Sequence, residues 1–221
     1  RSISHDLRTP LTSISGNADT LLHSYDALDA ETRQRIFNDI YDDSQWLTEL
    51  VENLLSITKI ADGSVKLHLS DQVLEDIISE ALRHIDRRSS EHQIMVNCGN
   101  EPLLVRVDAG LIMQVLVNLV NNAIKYTPYG GDVIIRVIAY NSFVRVDVTD
   151  TGIGISETEQ ANVFSRFYRS KMVGDRSGVG IGLYLAREIM KAQNGYIKVA
   201  SEVGKGSTFS VFFMKKEISQ K

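Results

Sequence analysis

The segments GDVIIRVIAY (residues 131–140) and SFVRVDVTD (residues 142–150) decide the fold class of this chain. Both alternate apolar and polar residues, which predicts two long strands in hairpin order. Helices are predicted before them, from Ala109 to about Tyr126, and after them, over about 181–193. The other predicted elements are a helix over about 71–88 and short strands in QIMVNC (93–98), LLVRV (103–107), GYIKVAS (195–201) and STFSVFFMK (207–215). Hairpin-ordered strands with three helices covering one face predict an α+β fold, specifically an α/β two-layer sandwich.

Residues 1–61 have the pattern of two long helices. The apolar seam of the first comprises Leu7, Leu11, Ile14, Ala18 and Leu21, which alternate four and three apart as in a heptad. The second begins at about Ala30, where Asp29 and Glu31 supply an acidic start, and it keeps the same rhythm. The turn between them is short and polar, which predicts an antiparallel helical hairpin.

The apolar surface of this hairpin is wider than two helices can bury, because Trp46, Val51 and Leu55 extend it. We therefore expect a dimeric four-helix bundle; the alternative is a hairpin packed against its own C-terminal domain. The segment ADGSVKLHLSD (61–71) breaks the helical rhythm. The expected organisation is a helical domain at 1–61, a linker at 62–70 and an α/β domain at 71–221.

The bulk composition narrows the function classes. Of the 221 residues, 43% are hydrophobic and 24% charged, and the net charge of −4 with scattered basic residues argues against nucleic-acid binding. Cys98 is the only cysteine in the sequence, which excludes an intrachain disulfide and a cysteine-based zinc site. The apolar runs have strand length and no signal peptide is visible. The first residue, Arg1, stands in mid-pattern, so we expect a fragment of a longer protein.

The segment SHDLRTPL (4–11) contains a proline where helical periodicity continues past it. Pro10 cannot donate to the carbonyl of Asp6 and its ring crowds that carbonyl, so we expect a bend one turn beyond His5. In the heptad register His5 takes position b, which faces solvent. A solvent-facing, neutral imidazole is a competent nucleophile, and Asp6 can take its other ring proton.

Glycines cluster in DTGIGI (150–155), GVGIGL (178–183) and GKGSTF (204–209). Glycine allows a backbone to approach a phosphate closely, and amides at a helix N-terminus can hold the anion. Two nucleotide signatures are excluded, because the sequence has no GxxxxGK[ST] and Leu183 replaces the third glycine of the dinucleotide fingerprint. Asp150 ends a strand and precedes two glycines, so its carboxylate is expected to face a ligand.

The segment QVLVNLVNNAIKYTP (114–128) adds polar residues to a predicted helix. Asn118 and Asn122 are four residues apart and share one helix face, with Lys125 near it. An asparagine oxygen is a suitable ligand for Mg²⁺, which keeps several waters and shares phosphate oxygens. Taken alone, the two asparagines are better explained as exposed polar positions.

Six segments, in order, resemble the H, N, G1, F, G2 and G3 boxes of the sensor histidine kinases of two-component systems. They are SHDLRTPL, NLVNNAIKYTP, DTGIGI, FSRFYRS, GVGIGL and GKGSTF. The resemblance covers nearly the whole chain and implies a dimerisation and histidine-phosphotransfer domain followed by an ATP-binding domain of the Bergerat type. Within the family, residues 46–63 and 115–131 look most like Kdp-type potassium-responsive sensor kinases.

The resemblance also implies roles for individual residues. His5 is the phosphoacceptor, Asp6 its acidic neighbour and Thr9 a residue for phosphatase activity. Asn122 is the Mg²⁺ ligand supported by Asn118. The resemblance further implies that Tyr126 lies against the adenine, that Asp150 binds its amino group, and that Gly152 and Gly154 make room for the base, with Thr208 near it. At the phosphates it implies Lys125 and the glycines Gly178, Gly180 and Gly182, with Leu183 closing that run. Arg169 or Arg176 is the implied phosphate cation. Phe164 and Phe167 anchor a lid over SKMVGDRSG (170–178).

The implied activity is autophosphorylation of His5 by ATP and Mg²⁺, then transfer to an aspartate of a response regulator receiver domain, with phosphatase activity toward it. The implied partners are a second copy of the chain and that regulator. The implied location is the cytoplasmic portion of a membrane-anchored bacterial sensor. Two alternatives remain: an ATPase of the same nucleotide-binding superfamily, and a non-catalytic dimeric scaffold that binds nucleotide. The other histidines, His23, His68, His84 and His92, are interpreted as surface or helix-end residues.

Overall fold

The computed structural model describes residues 3–61, 66–85, 91–99, 101–168 and 180–215. In chain order the helices are α1 (Ile3–Ser24), α2 (Ala30–Ala61), α3 (Leu74–Arg83), α4 (Ala109–Tyr126), α5 (Glu157–Gln160) and α6 (Gly182–Ala192), with a 3-10 turn at Tyr25–Ala27. The strands are β1 (Ser70–Val73), β2 (Gln93–Asn97), β3 (Leu104–Val107), β4 (Asp132–Ala139), β5 (Phe143–Asp150), β6 (Tyr196–Glu202) and β7 (Gly206–Met214).

The C-terminal part is a five-stranded sheet covered on one face by helices. Its strand order is β2-β4-β5-β7-β6, with β2 parallel to β4 and the other neighbours antiparallel. Every second residue of β5 is fully buried, namely Val144, Val146 and Val148, and α4 and α6 pack on that face. The predicted α+β class and the β4–β5 hairpin are therefore confirmed.

Helix α4 forms because its apolar residues recur at helical spacing and its first turn is capped. Asp108 accepts the backbone N–H of Leu111 through Oδ1 at 3.2 Å, which satisfies one of the free donors of the helix start. The buried residues of α4 are Ile112, Val115, Leu116, Leu119, Val120, Ala123 and Ile124. This apolar stripe faces the sheet and leaves the opposite side of the helix for polar residues.

The prediction of one helix over 71–88 is wrong at its start. Ser70–Val73 forms β1, which pairs antiparallel with β3, and α3 begins only at Leu74. Four residues of mixed polarity carry too little periodicity to reveal a strand whose partner lies more than thirty residues later. Ser70, which was expected to end the linker, is consequently the first residue of β1.

Helices α1 and α2 form the predicted antiparallel hairpin. The start of α2 is fixed by Asp29, whose Oδ1 accepts the backbone N–H of Thr32 at 2.6 Å. This hydrogen bond, and the nearby Arg35 and Arg33, lower the pKa of the Asp29 carboxyl. The acidic helix start read from the sequence is therefore confirmed.

The hairpin also contacts the α/β domain of the same chain. Helix α2 packs against α6, and Leu50 and Ile57 are buried in a core that is continuous with the α/β domain. The arrangement first considered as the alternative is thus present in this structure. Another part of the hairpin surface stays apolar and about half exposed; it comprises Leu11, Phe37, Tyr41, Val51 and Leu55. The packing of α2 on α6 and the expected four-helix dimer use different faces of the hairpin, and the dimer stays a prediction.

Among the helices of the described ranges, none combines the length and the apolar character that crossing a membrane requires.

Candidate nucleotide-binding site

A cleft that is open to solvent lies where α4, the end of β5 and the start of α6 meet. The cleft is lined by Asn122, Tyr126, Asp150, Ile153, Gly154, Ile155, Val163, Tyr168, Leu183, Ser207 and Phe209. A few polar groups in a mainly apolar lining suit a flat heterocyclic ligand that is recognised at its edge.

Asp150 is the acidic residue of this cleft and is only 5% exposed. Its Oδ1 accepts two backbone N–H groups, from Gly152 at 2.8 Å and from Ser207 at 3.2 Å. Burial raises the pKa of the carboxyl, and the two hydrogen bonds oppose that shift. Both of these bonds go to Oδ1, so within the described part of the chain Oδ2 is the oxygen available to a ligand.

The glycines of the loop after β5 allow close backbone packing. Gly154 has a φ of +72°, and a Cβ there would overlap the carbonyl of Glu202 at the end of β6. A Cβ on Gly152 would overlap the carbonyl of Tyr126. The structure therefore explains both glycines by neighbouring backbone, and their expected role in making room for a base stays a prediction.

The polar side of α4 points along the cleft. Asn122 and Tyr126 line it one helical turn apart, and the ammonium of Lys125 lies 5.0 Å from the centre of the Tyr126 ring. Asn118, a turn earlier, donates through Nδ2 to the carbonyl of Gly182 at 3.4 Å. Asn118 thus ties α4 to the start of α6 and is not a freely exposed polar residue.

The start of α6 brings two of the predicted glycines to this end of the domain. Gly180 has a φ of +70°, and its carbonyl accepts the backbone N–H of Phe167 at 3.0 Å. Gly182 is the first residue of α6, and Leu183 lines the cleft. Because the first N–H groups of a helix lack intrahelical partners, this end of α6 is suited to an anion.

The segment that ends at Tyr168 forms one wall of the cleft. Phe164 packs edge-on against Phe209 with 6.2 Å between ring centres, and Phe167 adopts a φ of +63°. Burial raises the pKa of the Tyr168 hydroxyl, and the carboxylate of Glu159, to which the hydroxyl donates, adds to the shift. The expected lid lies outside the described residues, and the role of the two phenylalanines as its anchor stays a prediction.

The predicted phosphoacceptor region lies on α1. His5 and Asp6 are within the helix, and their side chains lie outside the described part of the chain. Thr9 is exposed one turn after His5, and Pro10 is buried inside the helix, which continues to Ser24. The positions needed by the prediction are present on one continuous helix.

Not every predicted residue reaches the cleft. Thr208 does not: its hydroxyl lies 3.0 Å from that of Thr149 on the opposite face of the sheet, and its neighbour Ser207 lines the cleft instead. The alternation of side chains along β7 places Thr208 and Ser207 on opposite faces, and a role for Thr208 near the base stays a prediction. Arg169, Arg176 and Gly178 lie outside the described residues.

Sequence reasoning missed part of the lining, namely Ile153, Ile155, Val163, Tyr168, Ser207 and Phe209. The sequence did carry a signal for Ser207. Every second residue of a strand lies on the same face, and Phe209, two residues after Ser207, is a buried apolar residue of β7. Ile153 and Ile155 lie within DTGIGI itself. The side chains between the glycines form the apolar lining.

The donor set suits Mg²⁺ only together with a phosphate ligand. Among the described residues, no group of three or more His, Cys, Asp or Glu is placed to hold a metal ion. Asn122 offers one amide oxygen at the cleft. Mg²⁺ commonly keeps several waters and combines one or two protein oxygens with substrate phosphates, so this set fits the ion.

Comparison with known proteins gives two family matches. Residues 107–217 match the model described as "Histidine kinase-, DNA gyrase B-, and HSP90-like ATPase", and residues 1–63 match the "His Kinase A (phospho-acceptor) domain". The chain belongs to the histidine kinase-, DNA gyrase B- and HSP90-like ATPase family, as a two-component sensor histidine kinase with a phospho-acceptor domain.

Three individual proteins make this similarity specific. The sensor protein KdpD of Clostridium acetobutylicum is 38% identical over 220 residues, which are 99% of this chain but 24% of that protein. Full-length ShkA in complex with AMPPNP has a TM-score of 0.72 at 26% identity, over 97% of this chain and 45% of ShkA. ThkA in complex with the response regulator TrrA has a TM-score of 0.72 at 24% identity, over 99% of this chain and 61% of that one, which shows the shared fold.

Proposed function

We propose that this chain transfers the terminal phosphoryl group of ATP to His5 and passes it on to an aspartate of a response regulator. The observation that carries the proposal is the cleft in which a fixed Asp150 and the polar face of α4 meet the start of α6. That cleft belongs to a chain whose first 63 residues match a phospho-acceptor domain. Because the chain spans about a quarter of KdpD, this activity is proposed for the chain and not read from that relative.

The adenine is proposed to bind at the Asp150 end of the cleft. Oδ1 is held by two backbone N–H groups, so Oδ2 can accept the exocyclic amino group of adenine without losing its own support. Tyr126 and the apolar residues Ile153 and Phe209 supply surfaces for the ring. The similarity to ShkA, whose structure contains AMPPNP, supports a nucleoside triphosphate as the ligand.

The phosphates are proposed to extend toward Asn122 and the start of α6. Asn122 supplies an oxygen to Mg²⁺, and Lys125 and the first N–H groups of α6 balance the phosphate charge. The bound ion shields the charge of the triphosphate. Gly182 is held in place through the hydrogen bond from Asn118.

The reaction forms one bond and breaks one bond. A ring nitrogen of His5 attacks the γ-phosphorus, the bond between that phosphorus and the β–γ bridging oxygen breaks, and ADP leaves. Asp6 accepts the proton from the other ring nitrogen, a role commonly worth about 10²–10⁴-fold in rate. Transfer to the regulator then breaks the P–N bond and forms an acyl phosphate on aspartate.

The identity of residue 118 favours transfer over hydrolysis. Gyrase- and MutL-like members of this superfamily resemble the chain but typically carry a glutamate four residues before the Mg²⁺ asparagine. Here that position is Asn118, an amide whose Nδ2 is already donated to Gly182. An amide cannot remove a proton from water, so the ATPase alternative lacks its general base.

The proposed partners are a second copy of the chain and a receiver domain. The exposed apolar residues of the hairpin, Phe37, Tyr41, Val51 and Leu55, support a helical dimer because exposed apolar surface of this extent favours association. ThkA has been solved with a response regulator, and the shared fold is compatible with such docking. We further propose a cytoplasmic location in a membrane-anchored sensor, and a Kdp-type signal on the basis of the KdpD similarity.

Incubation with ATP labelled at the γ-phosphate separates the candidate functions. A histidine kinase retains label on the protein that is lost in acid and kept in alkali. An ATPase releases labelled phosphate without retaining it, and a scaffold does neither. Retention of acid-labile label is the expected result, and phosphate release with no labelled protein contradicts the proposal.

A further inference from the structure

A histidine outside the cleft joins two segments at the end of α4. Three hydrogen bonds link residues 91–93 to the turn that follows the helix. Two are made by backbone alone: Gly130 N–H to the carbonyl of Glu91 at 2.9 Å, and Gln93 N–H to the carbonyl of Gly131 at 3.2 Å. The third joins Nε2 of His92 to the carbonyl of Thr127 at 3.1 Å and depends on the side chain.

The acceptor of this bond is a buried group. Thr127 is 5% exposed, and its own N–H and hydroxyl both donate back to the carbonyl of Ala123, at 3.0 Å and 2.7 Å. A carbonyl only accepts, so Nε2 of His92 carries the proton, in the neutral ring as well as in the charged one. Removing the imidazole leaves a buried carbonyl without this donor, which is costly.

The same end of α4 holds the cleft. The carbonyl of Tyr126, one residue before Thr127, accepts the N–H of Ile153 at 3.2 Å, and Ile153 and Tyr126 both line the cleft. Gly152, next to Ile153, donates to Asp150. The Tyr126–Thr127 pair therefore lies between His92 on one side and the loop that fixes Asp150 on the other.

We propose that His92 is a positioning residue for nucleotide binding: its hydrogen bond to Thr127 holds the end of α4 so that Tyr126 and the loop of Asp150 are in place before the nucleotide arrives. This inference rests on the proposed function only in taking the cleft as the nucleotide site. Without the bond, the nucleotide must order the end of α4 as it binds, which weakens its affinity. From the sequence alone, His92 is interpreted as a surface or helix-end residue.

The test measures ADP binding by titration calorimetry on the full chain, because the method separates affinity from the fraction of sites that can bind. His92→Leu is expected to raise the dissociation constant of ADP about fivefold, roughly 1 kcal/mol, at unchanged stoichiometry. His92→Gln keeps an N–H near the position of Nε2 and is expected to restore most of the affinity. His84→Leu is the matched control, since His84 contacts the exposed Glu80 on α3.

Autophosphorylation adds a second readout. A positioning role raises KM for ATP and leaves kcat nearly unchanged, whereas partial unfolding lowers the active fraction and leaves KM unchanged. An unchanged dissociation constant in His92→Leu, a loss of stoichiometry alone, or no rescue by His92→Gln would overturn the inference. A wild-type chain that binds ADP but leaves His5 unlabelled contradicts the proposed kinase activity without affecting this test; a wild-type chain that binds no ADP overturns both.

Discussion

Asp150 and Ser207, the last residue of β5 and its register partner on β7, are joined by a hydrogen bond of 3.2 Å from the Ser207 N–H to Asp150 Oδ1. With the second bond from Gly152, this contact fixes the plane of the carboxylate at the cleft. The orientation of one acidic side chain thus depends on two chain segments that meet only in the folded sheet.

Replacement of Asp150 by Asn is expected to change nucleotide selectivity. The amide oxygen is needed at the Oδ1 position to accept the two backbone N–H groups, so the NH₂ group takes the place of Oδ2 and faces the amino group of adenine, which is also a donor. We expect affinity for ATP to fall about 10- to 100-fold. Inosine triphosphate carries an acceptor at this position and should lose much less. Equal losses for both nucleotides in competition binding contradict the adenine contact.

The difference in stability between Asp150→Asn and the wild type should depend on pH. Burial raises the pKa of Asp150, so the folded chain keeps this proton at pH values where the unfolded chain has lost it. The contribution of Asp150 to the free energy of unfolding therefore decreases as pH rises from the ordinary carboxyl pKa to the raised one, and is constant above it. In urea titrations, the free energy of unfolding of Asp150→Asn minus that of the wild type should be highest above the raised pKa, and it should decrease on acidification. A difference that grows on acidification contradicts a raised pKa of Asp150.

Gly154 should be intolerant of any side chain. Its φ of +72° and the carbonyl of Glu202 beside it leave no room for a Cβ, so Gly154→Ala is expected to lower the free energy of unfolding by at least about 2 kcal/mol. Gly110, in the first turn of α4, has only an ordinary contact at 3.6 Å from its would-be Cβ. Gly110→Ala is the control and should stabilise by up to about 1 kcal/mol. Similar effects of the two changes in urea titrations count against the packing described here.

Pro10→Ala tests the role of the bend predicted after His5. Alanine restores an N–H that can donate to the carbonyl of Asp6, so α1 should become more stable and straighter. If the bend presents His5 in turn to ATP and to the regulator, at least one of the autophosphorylation, transfer and phosphatase rates should change about fivefold or more, roughly 1 kcal/mol in barrier height. Three unchanged rates remove the hypothesis.

Thr9→Ala is expected to separate two activities. Thr9 is exposed one turn from His5, where a hydroxyl can orient a water toward a phosphorylated aspartate of the regulator. Dephosphorylation of the regulator should fall by about 10²-fold, while labelling of His5 stays within about twofold of wild type. Thr20→Ala is the control on the same helix, since its hydroxyl donates to the carbonyl of Gly16. Equal loss of both activities in Thr9→Ala means that Thr9 has no specific phosphatase role.

Local periodicity predicted the elements that carry most of the fold. The hairpin of β4 and β5 and the helix α4 follow from patterns contained within each segment. Strand β1 was missed because its four residues become a strand only through pairing with β3. The contact of α2 with α6 is likewise decided by tertiary packing, because helical periodicity shows which residues of α2 are apolar but not which element covers each of them.

In the candidate site, too, local pattern predicted some residues and tertiary contacts decided the others. Asn122 and Asp150 were predicted from the sequence pattern and Tyr126 from the family resemblance, and the three residues meet in the cleft. Thr208 was chosen where Ser207 lines the cleft, because the box motif does not specify which face of β7 each residue takes. His92 forms its hydrogen bond with Thr127, 35 positions later in the sequence, and no local pattern predicts this contact.

The most direct test of the central claim is to locate the phosphoryl group. After incubation with labelled ATP and Mg²⁺, wild type and the control His23→Gln, changed at an exposed histidine of the same helix, should carry acid-labile, alkali-stable label. His5→Gln should carry none while binding ATP with nearly unchanged affinity. Label that persists in His5→Gln, or that maps to a different side chain, contradicts the account.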